Sequence, residues 1–293
     1  MKLGYADIDN FMRPNLIPGD VAIFGARTGT GKTILMSNII YRMIAQYPDI
    51  NILFCSLEQT GNQWFERGQR IHGFYNPGIV EGTELLESTT QFYKSNLYVM
   101  DKNRITPEDM RMVIRQTEDE RQRKVDLCVV DYLGYWARAF SGEAYQRTAD
   151  AIMTMKEIAK DVEAIFLSPA QLNRGSTPGS KIEINAFRDS GVIEETADHA
   201  IAIFNEDHGK PMQERTGNLR LEVMKSRTGA DGVSQEIQYA LTSLAMIPKG
   251  EYPVFKAHNY QQMANDEVNW VGNNFSFEEI HRKHREKNRD LMS

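Results

Sequence analysis

Short apolar runs recur along the chain: VAIFG (residues 21–25), NILFCS (51–56), NLYVM (96–100), DLCVVD (126–131) and AIFLS (164–168). Each is apolar at consecutive rather than alternate positions, the pattern of strands covered on both faces of a parallel sheet. Between them lie segments of helical length and pattern, including 32–46, 106–122 and 144–161, the second with Thr106 as N-cap and Pro107 in the first turn. Alternation of this kind builds right-handed strand–helix–strand units and a doubly wound α/β sheet. After Ala200 the pattern changes. HAIAIFN, NLRLEVMK and, past a turn at 229–232, SQEIQYAL follow one another with short connections, which predicts an antiparallel extension of the same sheet. No long linker, internal repeat or low-complexity tract intervenes, and from Phe277 onward the chain is highly charged. The expected organisation is one domain over 1–272 and a charged helix or tail over 273–293.

Composition narrows the function classes. A chain of 293 residues with 41% apolar, 25% charged and 10% aromatic residues is expected to fold around a full core. The net charge of −6 means that any nucleic-acid contact must come from a local basic surface. Cys55 and Cys128 sit in apolar runs without metal-like spacing, and the six histidines show no zinc-like pairing with cysteine or acid. No stretch approaches the ~18–20 continuous apolar residues of a membrane span, and no basic-then-apolar signal opens the chain. The expected setting is the cytoplasm, with no membrane partner.

The first strand runs into GARTGTGKT, with Ala26, Gly31, Lys32 and Thr33 at the key positions of the GxxxxGK[ST] phosphate loop. Gly29 and Gly31 let successive N–H groups face phosphate oxygens, and the helix that follows adds positive potential. Lys32 is placed to reach the β- and γ-phosphates, and Thr33 to offer its hydroxyl to Mg²⁺. The nucleotide-binding set is therefore Ala26, Arg27, Thr28, Gly29, Thr30, Gly31, Lys32 and Thr33, with ATP and Mg²⁺ as ligands.

Ligands of open parallel sheets bind outside the C-terminal strand ends, so polar residues there are the next candidates. Asp131 ends DLCVVD and is suited to a Mg²⁺ site. Glu58 follows NILFCS and could orient or deprotonate the attacking water. Gln171 follows AIFLS at a strand tip, where an amide can sense loss of the γ-phosphate. The aromatics Trp64, Phe65, Phe74 and Tyr75 are expected to pack the flank of the sheet rather than to stack bases.

At these residues the chain resembles the bacterial and phage replicative helicases of the DnaB type. IDNFMRPNLIPGD, GARTGTGKT, ILFCSLEQ, VVDYLGYW, AQLNR, AFRDSGVIEETAD and MKSRTG occur in the family's order across residues 8–229. The resemblance implies a RecA-like P-loop core and an ATP-driven ring, hexameric and moving 5′ to 3′ on single-stranded DNA, with a loader or primase as separate chains. It implies that Glu58 is the catalytic base, Asp131 the second metal-site acid, and Gln171 the link between hydrolysis and the DNA loops. Lys225 and Arg227 match the family's basic pair that reaches a neighbouring subunit's γ-phosphate. A cation supplied in trans makes hydrolysis depend on assembly. Two segments are candidates for DNA phosphates, 136–146 with Arg138 and 173–185 with Arg174 and Lys181.

The chain departs from the family at Gly134, where glutamine is common, at Pro169 and Ala170 in place of a serine, and at Thr228 in place of an asparagine. These are expected to tune the chemistry rather than abolish it. The phosphate loop lies so close to residue 1 that no room precedes it for the family's primase-binding N-terminal domain. A compact, phage-encoded motor, or a piece of a longer one, is expected. Other readings are a filament-forming recombinase or clock-like RecA relative, and a nucleotide-gated loader or scaffold. A small-molecule kinase is the weakest, because nothing marks an acceptor pocket.

Overall fold

The computed structural model describes residues 1–12, 15–79, 81–172, 190–227 and 232–249. In chain order the elements are α1 (Ala6–Phe11), β1 (Val21–Ala26), α2 (Lys32–Gln46), β2 (Ile52–Ser56), α3 (Gly61–Tyr75), α4 (Thr83–Lys94) and β3 (Leu97–Asp101). There follow α5 (Pro107–Arg121), β4 (Leu127–Asp131), α6 (Leu133–Trp136), α7 (Ala144–Val162), β5 (Ile165–Gln171) and α8 (Ser190–Thr196). The chain closes on β6 (His199–Asn205), β7 (Asn218–Ser226), β8 (Ser234–Ala240) and β9 (Ala245–Pro248).

These strands form a sheet in the order β3-β2-β4-β5-β1-β6-β7-β8-β9. The pairings from β3 to β6 are parallel and those from β6 to β9 antiparallel. The predicted parallel core with its antiparallel extension is what the chain adopts; β9, four residues long, was too short to stand out in the sequence.

Helices cover both faces, so β1, β2 and β4 are buried at every position. On one face Ala22, Phe24 and Phe54 meet Leu35 and Ile39 of α2 and Trp64 of α3. On the other, Val21, Ile23, Cys55 and Cys128 meet Ile114 of α5 and Met155 of α7. Alternate side chains of one strand thus feed two separate cores. Burial of this apolar surface, at roughly 25 cal/mol per Å², is what holds the layers together. It also pushes both thiols up from their ordinary range.

Local signals set the helix starts. At α5 the Thr106 hydroxyl accepts from the Asp109 N–H at 3.1 Å while the Asp109 carboxylate accepts from the Thr106 N–H at 2.8 Å. Thr60 and Gln63 form the same reciprocal box at the start of α3. Along α3, Trp64 and Phe65 are buried in the core, while Phe74 and Tyr75 lie at its margin.

One strand runs further than predicted. β5 continues through Pro169 and Ala170 to Gln171, pairing with β1 as far as Ala26↔Gln171. Its ladder with β4 stops at Val129↔Leu167. Pro169 has no N–H to extend that ladder, and the Ser168 hydroxyl donates to the Val130 carbonyl at 2.7 Å instead. The expected boundary at residue 272 and the tail over 273–293 lie outside the described residues.

Candidate active site

β1 delivers the chain to the phosphate loop, where the Leu172 N–H donates to the Ala26 carbonyl at 3.0 Å. The Thr30 N–H closes a tight turn on the Arg27 carbonyl at 3.2 Å. Gly29 and Gly31 have φ of 75° and 95°, in the left-handed region that side chains resist. At Gly31 an added Cβ would also come within 3.2 Å of the Met246 Cε on β9. α2 then starts at Lys32 with no side-chain cap, so the N–H groups of its first turn remain available to an anion.

β4 and β2 end side by side, with Ser56 in register with Asp131. The Leu57 N–H donates to the Asp131 carbonyl at 2.9 Å, and the Ser56 hydroxyl donates to the Gln59 carbonyl at 2.6 Å. This turn presents Glu58 to solvent beside the loop. The Asp131 side chain is buried and bonded to the Thr33 hydroxyl, while its Oδ1 has no partner. Burial pushes its carboxyl up to about 6; the Thr33 hydrogen bond opposes that rise, and the charge of Glu58 adds to it.

Lys32 experiences the opposite penalty. Burial pulls its ammonium down from the ordinary lysine range, against the attraction of Asp131 and Glu58. Its Nζ lies 5.8 Å from the centre of the Tyr132 ring. That ring bears on one departure: a Cβ at Gly134 would sit 2.7 Å from Tyr132 Cε2, so the glutamine common in the resembled family would require the ring to move from its place beside Lys32.

A carboxylate oxygen and a hydroxyl meeting at the end of a phosphate loop are hard oxygen donors of the kind Mg²⁺ takes. The unpartnered Asp131 Oδ1 is the feature that fits such an ion. Thr30 Oγ1 is likewise buried without a partner in the loop itself. Gln171, half-buried at the end of β5 and in register with Ala26, completes the group at this end of the sheet.

Arg67 belongs to this neighbourhood although sequence reading passed over it. It projects from α3, donates to the Gln59 side chain, and its charge acts on Asp131. Its one sequence signal is that it lies on the helix directly following Glu58.

Lys225 and Arg227 are not brought here. β7 runs antiparallel to β6, with Ala200↔Lys225 and His199↔Ser226 in register, and His199 is level with Ala22 at the beginning of β1. The Arg227 N–H donates to the Asp198 carbonyl and the Asp198 N–H to that of Val21. Five residues of strand, about 16 Å at roughly 3.3 Å each, separate that level from Ala26. Arg227 therefore sits at the opposite end of the sheet from its own phosphate loop, and Lys225, level with Ile23, reaches toward the same end with its side chain. There Lys225 Nζ donates to the Ala197 carbonyl at 2.6 Å, and Arg227 Nη1 to Asp198 Oδ1 at 2.6 Å.

Arg138 lies in the short turn Ala137–Ala139 beyond β4, exposed, with its guanidinium 4.0 Å from the Tyr135 ring centre. Arg174 and Lys181, and with them Thr228, lie outside the described residues.

Known proteins share both this sequence pattern and this architecture. The family model for the DnaB-like helicase C-terminal domain matches residues 1–242. The replicative DNA helicase DnaB of Haemophilus influenzae is 28% identical over 244 residues, covering 78% of this chain and 51% of that protein. That of Mycoplasma genitalium is 26% identical over 234 residues, covering 73% and 49%. The chain spans about half the length of the curated relatives it matches. Among solved structures, a DnaB-like replicative helicase described with its primase interactions superposes with a TM-score of 0.72 at 17% identity, over 84% of this chain and 61% of that one. A KaiC-like protein of Pyrococcus horikoshii shares the fold more distantly, with a TM-score of 0.59 at 14% identity, over 86% and 98%.

Proposed function

Since the chain belongs to the family of DnaB-like helicase C-terminal domains, we propose that it is the ATP-driven motor of a replicative DNA helicase. Six protomers form a ring around single-stranded DNA and move 5′ to 3′, with a loader or primase as separate chains. The setting is the cytoplasm of a bacterial or phage-infected cell.

The observation that carries this reading is the opposition of the two charged ends. Lys32, Thr33, Glu58 and Asp131 gather at the C-terminal strand ends, whereas the backbones of Lys225 and Arg227 lie about 10 and 16 Å of strand away and both side chains bond toward the far end. A protomer's own nucleotide is out of their reach, and a neighbour's in a head-to-tail ring is not.

In the reaction, Lys32 and the N–H groups of the loop hold the phosphates of ATP. Thr33 and Asp131 would hold Mg²⁺, which would supply positive charge to offset that of the phosphates. Glu58 takes the proton of the attacking water, and its exposed carboxylate is free to accept one. Arg227 and Lys225 of the adjacent protomer meet the charge that develops on the transferred phosphoryl group. Gln171, beside the loop at the end of β5, passes the change in occupancy to the segments after it. Arg138, and Arg174 and Lys181, then contact DNA phosphates without reading bases.

The test is strand displacement on forked duplexes carrying either a 5′ or a 3′ single-stranded tail, with ATP and Mg²⁺. Displacement confined to the 5′-tailed fork, together with ATP turnover stimulated by single-stranded DNA, is expected. ATP turnover indifferent to DNA, with neither fork opened, would overturn the reading.

A further inference from the structure

The opposite end of the sheet holds a buried carboxylate, at the end of the segment AFRDSGVIEETAD, to which the chemistry above gives no role. Asp198, between α8 and β6, is 1% exposed. Its Oδ2 accepts the Val21 N–H at 2.8 Å and the Lys156 ammonium of α7, and its Oδ1 accepts Arg227 Nη1 at 2.6 Å.

The two cations are not equivalent. Lys156 is 13% exposed and also donates to the Gly19 carbonyl at 2.6 Å, so it is fixed from both sides. Arg227 is 62% exposed and has its guanidinium at the surface. Departure of Lys156 would strand a buried charge, which is costly. Departure of Arg227 would uncover Oδ1 at the surface side of the network but would not strand the charge, because Lys156 and the Val21 N–H remain on Oδ2.

From this asymmetry we infer that Asp198, anchored by Lys156, is a positioning residue for the trans-acting arginine. It holds Arg227 at the protomer surface in an extended, oriented state and yields it to the neighbour's phosphate. The inference rests on the trans role of Arg227 proposed above. Orientation before contact lowers the entropy lost on reaching the transition state, and a displacement of about 1 Å can cost ~10²-fold in rate. The same network ties β1, α7 and β7 together, so a shift of α7 or of the start of β1 would be felt directly at Arg227.

Subunit mixing tests this. Asp198→Asn keeps the size of the side chain and an acceptor for Val21 but removes the charge, and should lower kcat by ~10–100-fold with KM for ATP unchanged, since its own phosphate loop is intact. Mixed in equal amounts with Lys32→Ala protomers, which cannot hydrolyse ATP but carry an intact Asp198 and Arg227, it should regain activity. Arg227→Ala mixed with Lys32→Ala is the reference. If the reference recovers and Asp198→Asn does not, Asp198 serves its own protomer's structure and the inference is overturned. If the reference itself stays inactive, the trans reading of Arg227 is what fails. Should Asp198→Asn lose its cooperative melt, Lys156→Met carries the same test: it leaves Arg227 as the single side-chain cation on Asp198, which should hold the arginine back, lower kcat, and again be complemented by Lys32→Ala.

Discussion

The two ends of the sheet handle charge in opposite ways. At the phosphate-loop end Asp131 Oδ1 and Thr30 Oγ1 are buried without partners, and burial works against the charged forms of both Asp131 and Lys32. At the other end Asp198 is satisfied on both oxygens and Lys225 donates to a carbonyl. Buried polar groups are ordinarily paired, and a carboxylate oxygen and a hydroxyl left unpaired at a phosphate loop are donors open to a ligand. The satisfied end carries the exposed Arg227 at its surface, which is what the proposed role in trans requires.

The largest expected effect comes from breaking the donating end. Arg227→Ala should lower kcat by roughly 10³-fold or more, the usual contribution of an arginine acting on a transferred phosphoryl group, with nucleotide affinity retained. Steady-state turnover together with titration of a fluorescent ATP analogue separates the two; weakened binding at unchanged kcat would mean that Arg227 works elsewhere.

At the receiving end, Glu58→Gln removes the proton acceptor and should cost ~10²–10⁴-fold in kcat while the fold and nucleotide binding persist. Near-normal hydrolysis in this variant would remove Glu58 from the chemistry.

Asp131 sharpens the contrast through stability. Its carboxyl is raised to about 6 from a usual value near 4, so ionisation is harder folded than unfolded. The stability it contributes is present below pH ~4 and lost as pH rises through about 6. Asp131→Asn should therefore stabilise the ligand-free protein by about 1–3 kcal/mol at pH 8, leave it nearly unchanged at pH 4, and abolish the gain in Tm from Mg²⁺ with ATP. Denaturant melts at the two pH values check this. A variant less stable than its parent at pH 8 would show that the ionised carboxylate is better compensated than its unpartnered oxygen suggests.

The smallest effect belongs to the exposed Arg138. Its replacement by alanine should weaken single-stranded DNA binding by a few-fold and reduce the salt dependence by about one counterion, equally for all base sequences. Binding isotherms at several salt concentrations would show this, and an unchanged slope would place Arg138 off the DNA path.

The receiving end was largely legible in the sequence because its residues follow their strands directly. Once VAIFG, NILFCS and DLCVVD are read as parallel strands, Lys32, Glu58 and Asp131 fall along the same C-terminal edge of the sheet. Thr106 and Pro107 likewise announce the start of α5. What patterning missed depends on pairings between distant elements. Lys156 and Asp198 are 42 residues apart, and although Asp198 closes the quoted segment AFRDSGVIEETAD, its pairing with Lys156 emerges only when α7 and the start of β6 lie together. Arg67 gains its relation to Asp131 only when α3 folds back over the ends of the strands, and β9 exists because β8 supplies its partner.

The central claim, that one protomer's nucleotide is completed by the next protomer's cations, is tested most directly by ATP turnover per protomer as a function of protein concentration, with assembly followed by light scattering. The rate per protomer should rise steeply over the range where assembly forms, and Arg227→Ala should assemble over the same range yet remain at the residual monomer rate. A rate per protomer that is constant from monomer to assembly, and unaffected by Arg227→Ala, would contradict the account.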